Sequence, residues 1–285
     1  MKRLRIKHLT EYTFPTQVTL QQHYLLLRPR EGHDLRIESS LLNISPAYTI
    51  KWTRDVFDNS LAAVTFQQAS DKLTIASEVV IQHYEEAPLD FLIEEYAVNY
   101  PFNYPQAEWA DLTAFQLPVF ANDQTAVNNW LIHLGVRNGH WTTFSLLTRL
   151  NQAIYTQFRY QVREEAGVQT PATTLNYGSG SCRDYATLFI EACRCLGLAS
   201  RFVSGYLHAP ATEAGNATTH AWAEVYLPGT GWKGFDPTSG LVTGTQHIAV
   251  AVARNPEAVP PVAGSFIGPA VIPSLIVNVQ VNLLA

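Results

Sequence analysis

A change of hydrophobic period divides this chain, and the pattern of its first 86 residues most restricts the fold. From Leu4 to Phe14, every second residue belongs to one alternating pattern with a period of two. This period places alternate side chains on the same face of a β-strand. Comparable runs occupy residues 21–28, 36–44, 48–56, 61–67 and 73–84. Asp58 and Asn59 lie between two of these runs and predict a hairpin turn. Strands at this spacing predict an antiparallel β-sandwich-like domain over residues 1–86.

Residues 87–121 are rich in proline and aromatic residues and show neither the period of a β-strand nor that of an α-helix. The prolines that interrupt any long element are Pro88, Pro101, Pro105 and Pro118, and the aromatic residues include Phe91, Tyr96, Tyr100, Phe102, Tyr104 and Trp109. A floppy linker would leave these aromatic side chains in water, which is unfavourable. We therefore predict an ordered linker that lies on the surface of its neighbours.

Helical periodicity begins at residue 122 and marks a third region, residues 122–285. Asn122 and Asp123 can cap a first helix, which Gly135 ends. A second helix starts at Thr142 or Thr143, and leucines recur on one of its faces.

A loop over residues 161–180 leads to a third predicted helix, near residues 182–196. Gly197 follows it, at the position where a C-terminal cap is expected. Short strands are predicted over residues 201–207, 219–227 and 232–235, and two further apolar segments at 248–253 and 274–283.

The composition suits a folded soluble protein, since 47% of the residues are hydrophobic and 15% are charged. The formal net charge is −5, whereas nucleic acids and anionic membranes favour a basic surface. We therefore expect neither as a partner. No apolar run reaches the length of a signal peptide or a membrane span, so we expect a cytoplasmic protein. The oligomeric state is not indicated.

The three cysteines are Cys182, Cys193 and Cys195, and we expect all three to be free thiols. If they share one helix, Cys182 and Cys193 lie about 16 Å apart, which is too far for a disulfide. Cys193 and Cys195 point to different faces of that helix. No second Cys/His pair at ligand spacing accompanies them, so we expect no metal site.

The segment GSGSCRDYA, residues 178–186, carries the first chemical signal. Its two glycines allow a tight turn, and Ser181 is a good N-cap for a helix that Cys182 opens. A thiol at that place faces unpaired N–H groups and the positive end of the helix dipole, which favour the thiolate. Cys182 is therefore a candidate nucleophile. The alternative is a small buried cysteine, the role we assign to Cys193 and Cys195.

The segment THAWAEVY, residues 219–226, alternates like a strand and places His220, Trp222 and Glu224 on one face. His220 can supply the base that a cysteine nucleophile needs. A single histidine on a strand is more often a structural residue than a catalytic base. The sequence that follows His220 decides between these two roles.

The segment PGTGWKGFDPT, residues 228–238, predicts a hairpin that returns Asp236 to the side of His220. A carboxylate there can accept the second ring N–H of the histidine and fix its tautomer. Alternatively, Asp236 and Pro237 only start a turn. The order Cys, His, Asp favours a catalytic triad.

Three stretches of this sequence, GSGSCRDYA, THAWAEVYLPGTGW and FDPTSG, together resemble the core of bacterial transglutaminase-like proteins. The joining stretch over residues 195–206 resembles the helix-to-strand passage of the same family, and the first 86 residues resemble the N-terminal region that often accompanies this core. The resemblance implies an α+β fold, in which a papain-like core packs the nucleophile helix on an antiparallel sheet.

The same resemblance implies that Cys182, His220 and Asp236 take the roles of nucleophile, base and orienting carboxylate. This chain has Arg183 where animal transglutaminases carry tryptophan. Its sequence also contains no acidic loop of the kind that binds calcium. No cofactor is expected.

Four aromatic residues are further candidates near this site. Tyr160 and Tyr177 are candidate substrate or oxyanion contacts, and Tyr206 and Trp222 are candidates for the wall of a substrate groove. Tyr160 and Tyr177 are equally compatible with packing, and for Tyr206 and Trp222 a core role is the more common one for an aromatic residue on a strand. The sequence does not identify a second oxyanion donor beside the backbone N–H of Cys182.

The expected function is hydrolysis of an amide in a peptide or isopeptide through a thioester on Cys182. The expected partner is thus a peptide or protein substrate. Transamidation by the same residues is the first alternative, and it depends on whether an amine or water reaches the thioester. A non-catalytic binding or scaffolding protein is the second alternative, against which the intact Cys/His/Asp set argues.

We predict that Cys182→Ser abolishes amide hydrolysis while the protein stays folded, because a serine hydroxyl is a far weaker nucleophile than a thiolate. Cys193→Ser should have no more than a modest packing cost. Turnover and circular dichroism of both variants test this, and equal activity of the two would show that Cys182 is not the nucleophile.

Overall fold

The computed structural model describes residues 1–84, 89–163, 165–209 and 219–284. Its strands up to the first helix are β1 (Lys2–Leu20), β2 (His23–Leu25), β3 (Leu35–Ser45), β4 (Tyr48–Arg54), β5 (Ser60–Phe66), β6 (Ser70–His83) and β7 (Asn99–Tyr100). The helices are α1 (Gln106–Gln116), α2 (Gln124–His133), α3 (Thr143–Gln157), α4 (Pro171–Tyr177) and α5 (Cys182–Cys195).

The remaining strands are, in chain order, β8 (Trp141–Thr142), β9 (Arg159–Tyr160), β10 (Ser179–Gly180), β11 (Ser200–Leu207), β12 (His220–Leu227), β13 (Gly231–Asp236), β14 (Leu241–Val242), β15 (His247–Ala253), β16 (Val262–Ala263), β17 (Phe266–Ile267) and β18 (Ser274–Leu283).

The N-terminal region is a sandwich of two antiparallel sheets, which confirms the predicted fold class. One sheet has the order β17-β1-β6-β3 with β18 also paired to β1, and the other has the order β16-β2-β5-β4. The two sheets enclose an apolar core formed by Phe14, Val18, Leu20, Leu25, Leu27, Ala62, Val64, Leu73 and Ile75. The predicted turn at Asp58 and Asn59 joins β4 to β5, and Asp58 has a φ of 62°.

The last strand, β18, lies in the N-terminal sandwich and not in the core to which the sequence analysis assigned residues 122–285. It pairs with β1 from Leu4 opposite Leu283 to Thr13 opposite Ser274. The apolar alternation of this segment indicates a strand, but it does not indicate the partner. The first and last described strands, β1 and β18, therefore lie in the same sheet.

The second region packs α5 on one antiparallel sheet of order β14-β13-β12-β11-β15. The other helices surround α5, so that its residues from Asp184 to Arg194 are all buried. Phe189 of α5 stacks on Phe235 of β13 at a centroid distance of 5.5 Å. This confirms the predicted packing of the helix that begins at Cys182 on an antiparallel sheet. Gly197 follows α5 with a φ of 78°, as its capping position requires.

The segment before α2 is ordered, but it contains a helix, α1, that the sequence analysis did not predict. Pro105 stands at the N-cap of α1 without a capping side chain, and only Leu112 of the helix is buried, so neither signal of a helix is strong. The predicted boundary between residues 86 and 87 lies outside the described residues. Short α4 was also missed, although Thr170 caps it and Pro171 opens it, a recognisable start signal.

A buried ion pair in α5 fixes the segment that precedes α2 to the core. Arg194 Nη1 lies 2.6 Å from Glu191 Oε1, and both side chains are 1% exposed. Glu191 accepts the backbone N–H groups of Val119 and Phe120, and Arg194 donates to the carbonyl of Phe115. The charges are thus paired and hydrogen-bonded, which burial requires.

The sandwich and the core share one continuous hydrophobic cluster, in which Leu4 and Ile81 join Leu188 and Val225. The most specific polar contact between them is the amide of Asn59, which is fully buried. Asn59 Nδ2 donates to the carbonyl of Val252 at 2.8 Å, and Asn59 Oδ1 accepts the Val252 N–H at 2.9 Å. The side chain therefore pairs with β15 as a neighbouring strand would.

In the described part of the chain, no helix is both long and apolar enough to cross a bilayer.

We predict that Asn59→Ala lowers the free energy of unfolding by about 3 kcal/mol, because it leaves the buried N–H and C=O of Val252 unpaired. Urea unfolding measures this. Asn43→Ala is the matched control, since Asn43 is exposed on β3 and should change stability by less than about 0.5 kcal/mol. Equal effects of the two substitutions would contradict the role of Asn59.

Candidate active site

Cys182 is the first residue of α5, directly after the N-cap Ser181. The backbone N–H and the hydroxyl of Ser181 both donate to Asp184 Oδ2 at 2.8 Å. Gly180, just before them, is close-packed, because a Cβ there would lie 2.9 Å from the Cβ of Asp184. The start of the helix, and with it the backbone at Cys182, is therefore held in one position.

Asp184 also anchors the loop that precedes the helix, a role that sequence reasoning missed. Its side chain is fully buried, and Oδ1 accepts from Arg163 Nη1 at 2.8 Å and from the Gln169 N–H at 2.7 Å. The acidic residue in the first turn of the helix is the available signal. No comparable sequence signal identifies its partner Arg163, which lies 21 residues away.

The predicted hairpin of β12 and β13 brings His220 and Asp236 together. His220 Nε2 lies 3.0 Å from Asp236 Oδ2, and both side chains are buried. The carboxylate also accepts the Ser239 hydroxyl at Oδ2 and the Thr238 N–H at Oδ1. Because an ionised carboxylate can only accept, His220 donates from Nε2, which leaves Nδ1 for another partner.

The thiol of Cys182 lies close enough to His220 to influence the pKa of the imidazole. The hydroxyl of Tyr160, at the end of β9, lies near the same thiol. The structure thus brings the three predicted residues together, with Asp236 hydrogen-bonded to His220, Cys182 beside His220 and Tyr160 near the sulfur.

A fourth residue, His247 at the start of β15, completes this cluster, and the sequence analysis did not identify it. Its Nε2 lies 3.1 Å from the same Asp236 Oδ2. The predicted strand began one residue after His247, and nothing in the spacing relates it to His220 or Asp236.

Burial lowers the pKa of the His220 imidazole, but the hydrogen bonds to Asp236 and Cys182, together with their charges, outweigh burial and raise that pKa to about 10. Burial raises the pKa of Asp236, yet the hydrogen bonds from His220 and His247 hold it well below its ordinary value. Burial and the neighbouring Cys182 raise the pKa of Tyr160 to about 12, so its hydroxyl keeps its proton. The arrangement favours an imidazolium at His220, the residue that lies beside the Cys182 thiol.

The atoms of His220, Asp236 and His247 lie within 4.8 Å of one another, close enough to bind a metal ion. Their hydrogen bonds favour another interpretation. Both Nε2 atoms point N–H groups at Asp236 Oδ2, so neither offers a lone pair, and that oxygen also accepts the Ser239 hydroxyl. The cluster is therefore a hydrogen-bonded group around a carboxylate.

The aromatic candidates lie in different places. Tyr160 contacts the thiol, whereas Tyr177 is 70% exposed at the end of α4, away from the groove that contains Cys182. Tyr206 is buried between sandwich and core, where its hydroxyl lies 3.0 Å from His8 Nδ1, and it therefore does not line the groove. Trp222 is buried behind His220 and packs edge-on against His247 at 5.2 Å. Both therefore have the packing role that the sequence left open.

Cys182 lies in a groove of about 1390 Å³ between the core and the sandwich. Both regions contribute walls, and most of the wall residues are apolar. They include Tyr12, Phe14, Phe202, Val259, Pro261 and Leu275. The N-terminal sandwich is thus part of the surface that surrounds the thiol.

Residues 134–237 match the family model of the transglutaminase-like superfamily, and residues 4–82 match that of the bacterial transglutaminase-like N-terminal region. An uncharacterized protein of Mycobacterium tuberculosis is 28% identical over 280 residues, which cover 92% of this chain and 87% of the relative. An uncharacterized protein of Mycobacterium leprae is 24% identical over 281 residues, covering 94% of each chain.

Among solved structures, a candidate cysteine protease from Cytophaga hutchinsonii has a similar fold. The TM-score is 0.75 at 16% sequence identity, and the similarity covers 100% of this chain and 91% of that one. At this identity the likeness concerns the fold, including the placement of a β-rich N-terminal region on the core.

We predict that His220 stays protonated at pH 8, whereas His8, whose pKa burial lowers to about 4, is neutral at pH 6. Asp236→Asn should lower the pKa of His220, because the amide carries no charge. The stability that the His220 proton contributes is complete below pH of about 6.5 and is lost as the pH rises to about 10. NMR of ring-labelled histidine measures these titrations, and loss of the His220 proton near pH 6.5 would contradict the prediction.

Proposed function

The chain belongs to the bacterial transglutaminase-like proteins, and on this basis we propose that it is a cysteine-dependent hydrolase of amide bonds in peptides or isopeptides. In this proposal Cys182 is the nucleophile, His220 is the general base and acid, and Asp236 orients the histidine. The observation that carries it is the arrangement of the three residues, in which Asp236 is hydrogen-bonded to His220 and the Cys182 thiol lies beside His220 in the same groove.

The first step is attack of the Cys182 thiolate on the carbonyl carbon of the amide. The sulfur–carbon bond forms, and the carbonyl oxygen takes up the negative charge. The N–H of Cys182 supports this charge, because it is one of the unpaired N–H groups at the helix start and no acceptor for it lies among the described residues. Tyr160, which keeps its proton, is a second donor within reach of the sulfur.

The second half of the reaction releases both products. His220 gives its proton to the departing nitrogen, so that the carbon–nitrogen bond breaks and a thioester remains on Cys182. The neutral imidazole then takes a proton from water, and the resulting hydroxide attacks the thioester carbon. The carbon–sulfur bond breaks, the acid product leaves, and the thiolate–imidazolium pair is restored. Asp236 keeps His220 in the required orientation throughout.

The size of the groove supports a peptide or protein substrate. Pockets for small molecules commonly have volumes of about 300–1,000 Å³, and the groove at Cys182, about 1390 Å³, is larger. Its walls come from two regions of the chain, which suits an extended segment better than a compact ligand.

Alkylation by iodoacetamide, followed by mass spectrometry at each cysteine, tests the nucleophile. At pH 6 we expect Cys182 to react on the order of 100-fold faster than an ordinary thiol with a pKa of about 8.5. Cys193 should be unreactive, because it is fully buried and burial raises its pKa, and burial also raises the pKa of Cys195 to about 11. His220→Ala should abolish the advantage of Cys182, whereas Cys195→Ser should leave it intact.

Turnover of a peptide mixture in ¹⁸O-water that contains a labelled primary amine then separates the two reactions of a thioester. Hydrolysis incorporates ¹⁸O into a new carboxylate, and transamidation incorporates the amine. We expect ¹⁸O, and none with Cys182→Ser. If Cys182 reacts no faster than a free thiol and neither label is incorporated, the proposed activity is wrong and a binding protein is the better interpretation.

A further inference from the structure

His247 contacts the same carboxylate oxygen of Asp236 that His220 contacts. Asp236 Oδ2 accepts from both imidazoles, at 3.0 Å from His220 and 3.1 Å from His247, and from the Ser239 hydroxyl at 3.0 Å. The other charged or titratable groups near this carboxylate are Cys182 and Tyr160, which lie beyond His220. One oxygen of the carboxylate thus receives three hydrogen bonds, one of them from His247.

The tautomer of His247 is defined by its other ring nitrogen. The backbone N–H of Gly244 points at His247 Nδ1 at 3.4 Å, so Nδ1 acts as the acceptor of this long hydrogen bond. The ring hydrogen is then on Nε2, where it is donated to Asp236. The edge-on contact with Trp222, at 5.2 Å, fixes the plane of the ring. His247 is therefore a preorganised N–H donor.

The N-terminal sandwich fixes the backbone of His247. One edge of β15 pairs with β11, with His247 opposite Leu207. On the sandwich side, buried His83 of β6 donates from Nε2 to the carbonyl of His247 at 3.2 Å. Further along the strand, the Arg30 N–H donates to the carbonyl of Ala249 at 2.8 Å. The sandwich thus takes the place of a neighbouring strand along β15.

We propose that His247 is a positioning residue of this site, which holds the Asp236 carboxylate in the orientation that receives His220, and that the N-terminal sandwich fixes His247 for this role. The proposal extends the proposed function and rests on it for its effect on the thiol. In this arrangement the sandwich contributes to the reactivity of Cys182 as well as to the wall of the groove.

Two substitutions of similar size separate a hydrogen-bonding role from a packing role. His247→Phe keeps a ring against Trp222 but has no N–H, whereas His247→Gln loses the ring but carries an amide N–H near the position of Nε2. We expect His247→Phe to slow the alkylation of Cys182 at pH 6 at least about tenfold, and His247→Gln to stay within about threefold of the natural protein. Thermal unfolding of both variants establishes that they are folded.

The opposite order, with Phe tolerated and Gln impaired, would show that His247 only packs, and equal losses in both would also overturn the proposal. A second readout needs no reactivity: the low-field NMR signal of the His220 Nε2 proton. It should persist with Gln and disappear with Phe as Asp236 gains freedom to turn, and its persistence with Phe would overturn the proposal.

The two readouts also separate this proposal from the proposed function. Slow alkylation of Cys182 in the natural protein would contradict the proposed function alone. If the proton signal still depended on His247 in that case, the positioning of Asp236 by His247 would stand.

Discussion

The candidate site depends on one buried carboxylate, Asp236. Its Oδ2 accepts hydrogen bonds from His220, His247 and Ser239, and these keep it ionised in a place where an isolated charge would be very unfavourable. The negative charge in turn stabilises an imidazolium at His220, the group that the proposed mechanism places beside the Cys182 thiol. The protonation of His220 is thus a consequence of how well the carboxylate is hydrogen-bonded.

A second buried carboxylate, Asp184, holds the other half of the site. It binds the N-cap Ser181 on one side and Arg163 on the other, so it ties the helix start to the preceding loop. These contacts hold the backbone at Cys182, whereas its sulfur takes no part in them and lies near His220 and Tyr160. Because Ser181, Asp184 and Arg163 hold the helix start, the Cys182 thiol is positioned without being used in a structural contact.

The N-terminal sandwich is packed against the core through shared hydrophobic residues and hydrogen bonds, unlike a separate accessory domain. The sandwich and the core share a hydrophobic cluster, and β18, the last of the described strands, pairs with β1. Asn59 and His83 satisfy backbone groups of β15, the strand that carries His247. An open edge of this strand would leave buried N–H and C=O groups unpaired, so the sandwich supplies what the core sheet lacks.

The sequence by itself determined the local parts of this protein: the strand pattern of the sandwich, the helix that opens at Cys182 and the hairpin that returns Asp236 to His220. Their signals are caps, turns and periodicities that act within about 20 residues. Only the tertiary structure decided that His247 shares the carboxylate, that Asp184 binds Arg163 and that Tyr206 packs between two regions. These contacts join segments whose meeting depends on the packing of whole sheets, and no local pattern in a single sequence records which distant side chains will meet.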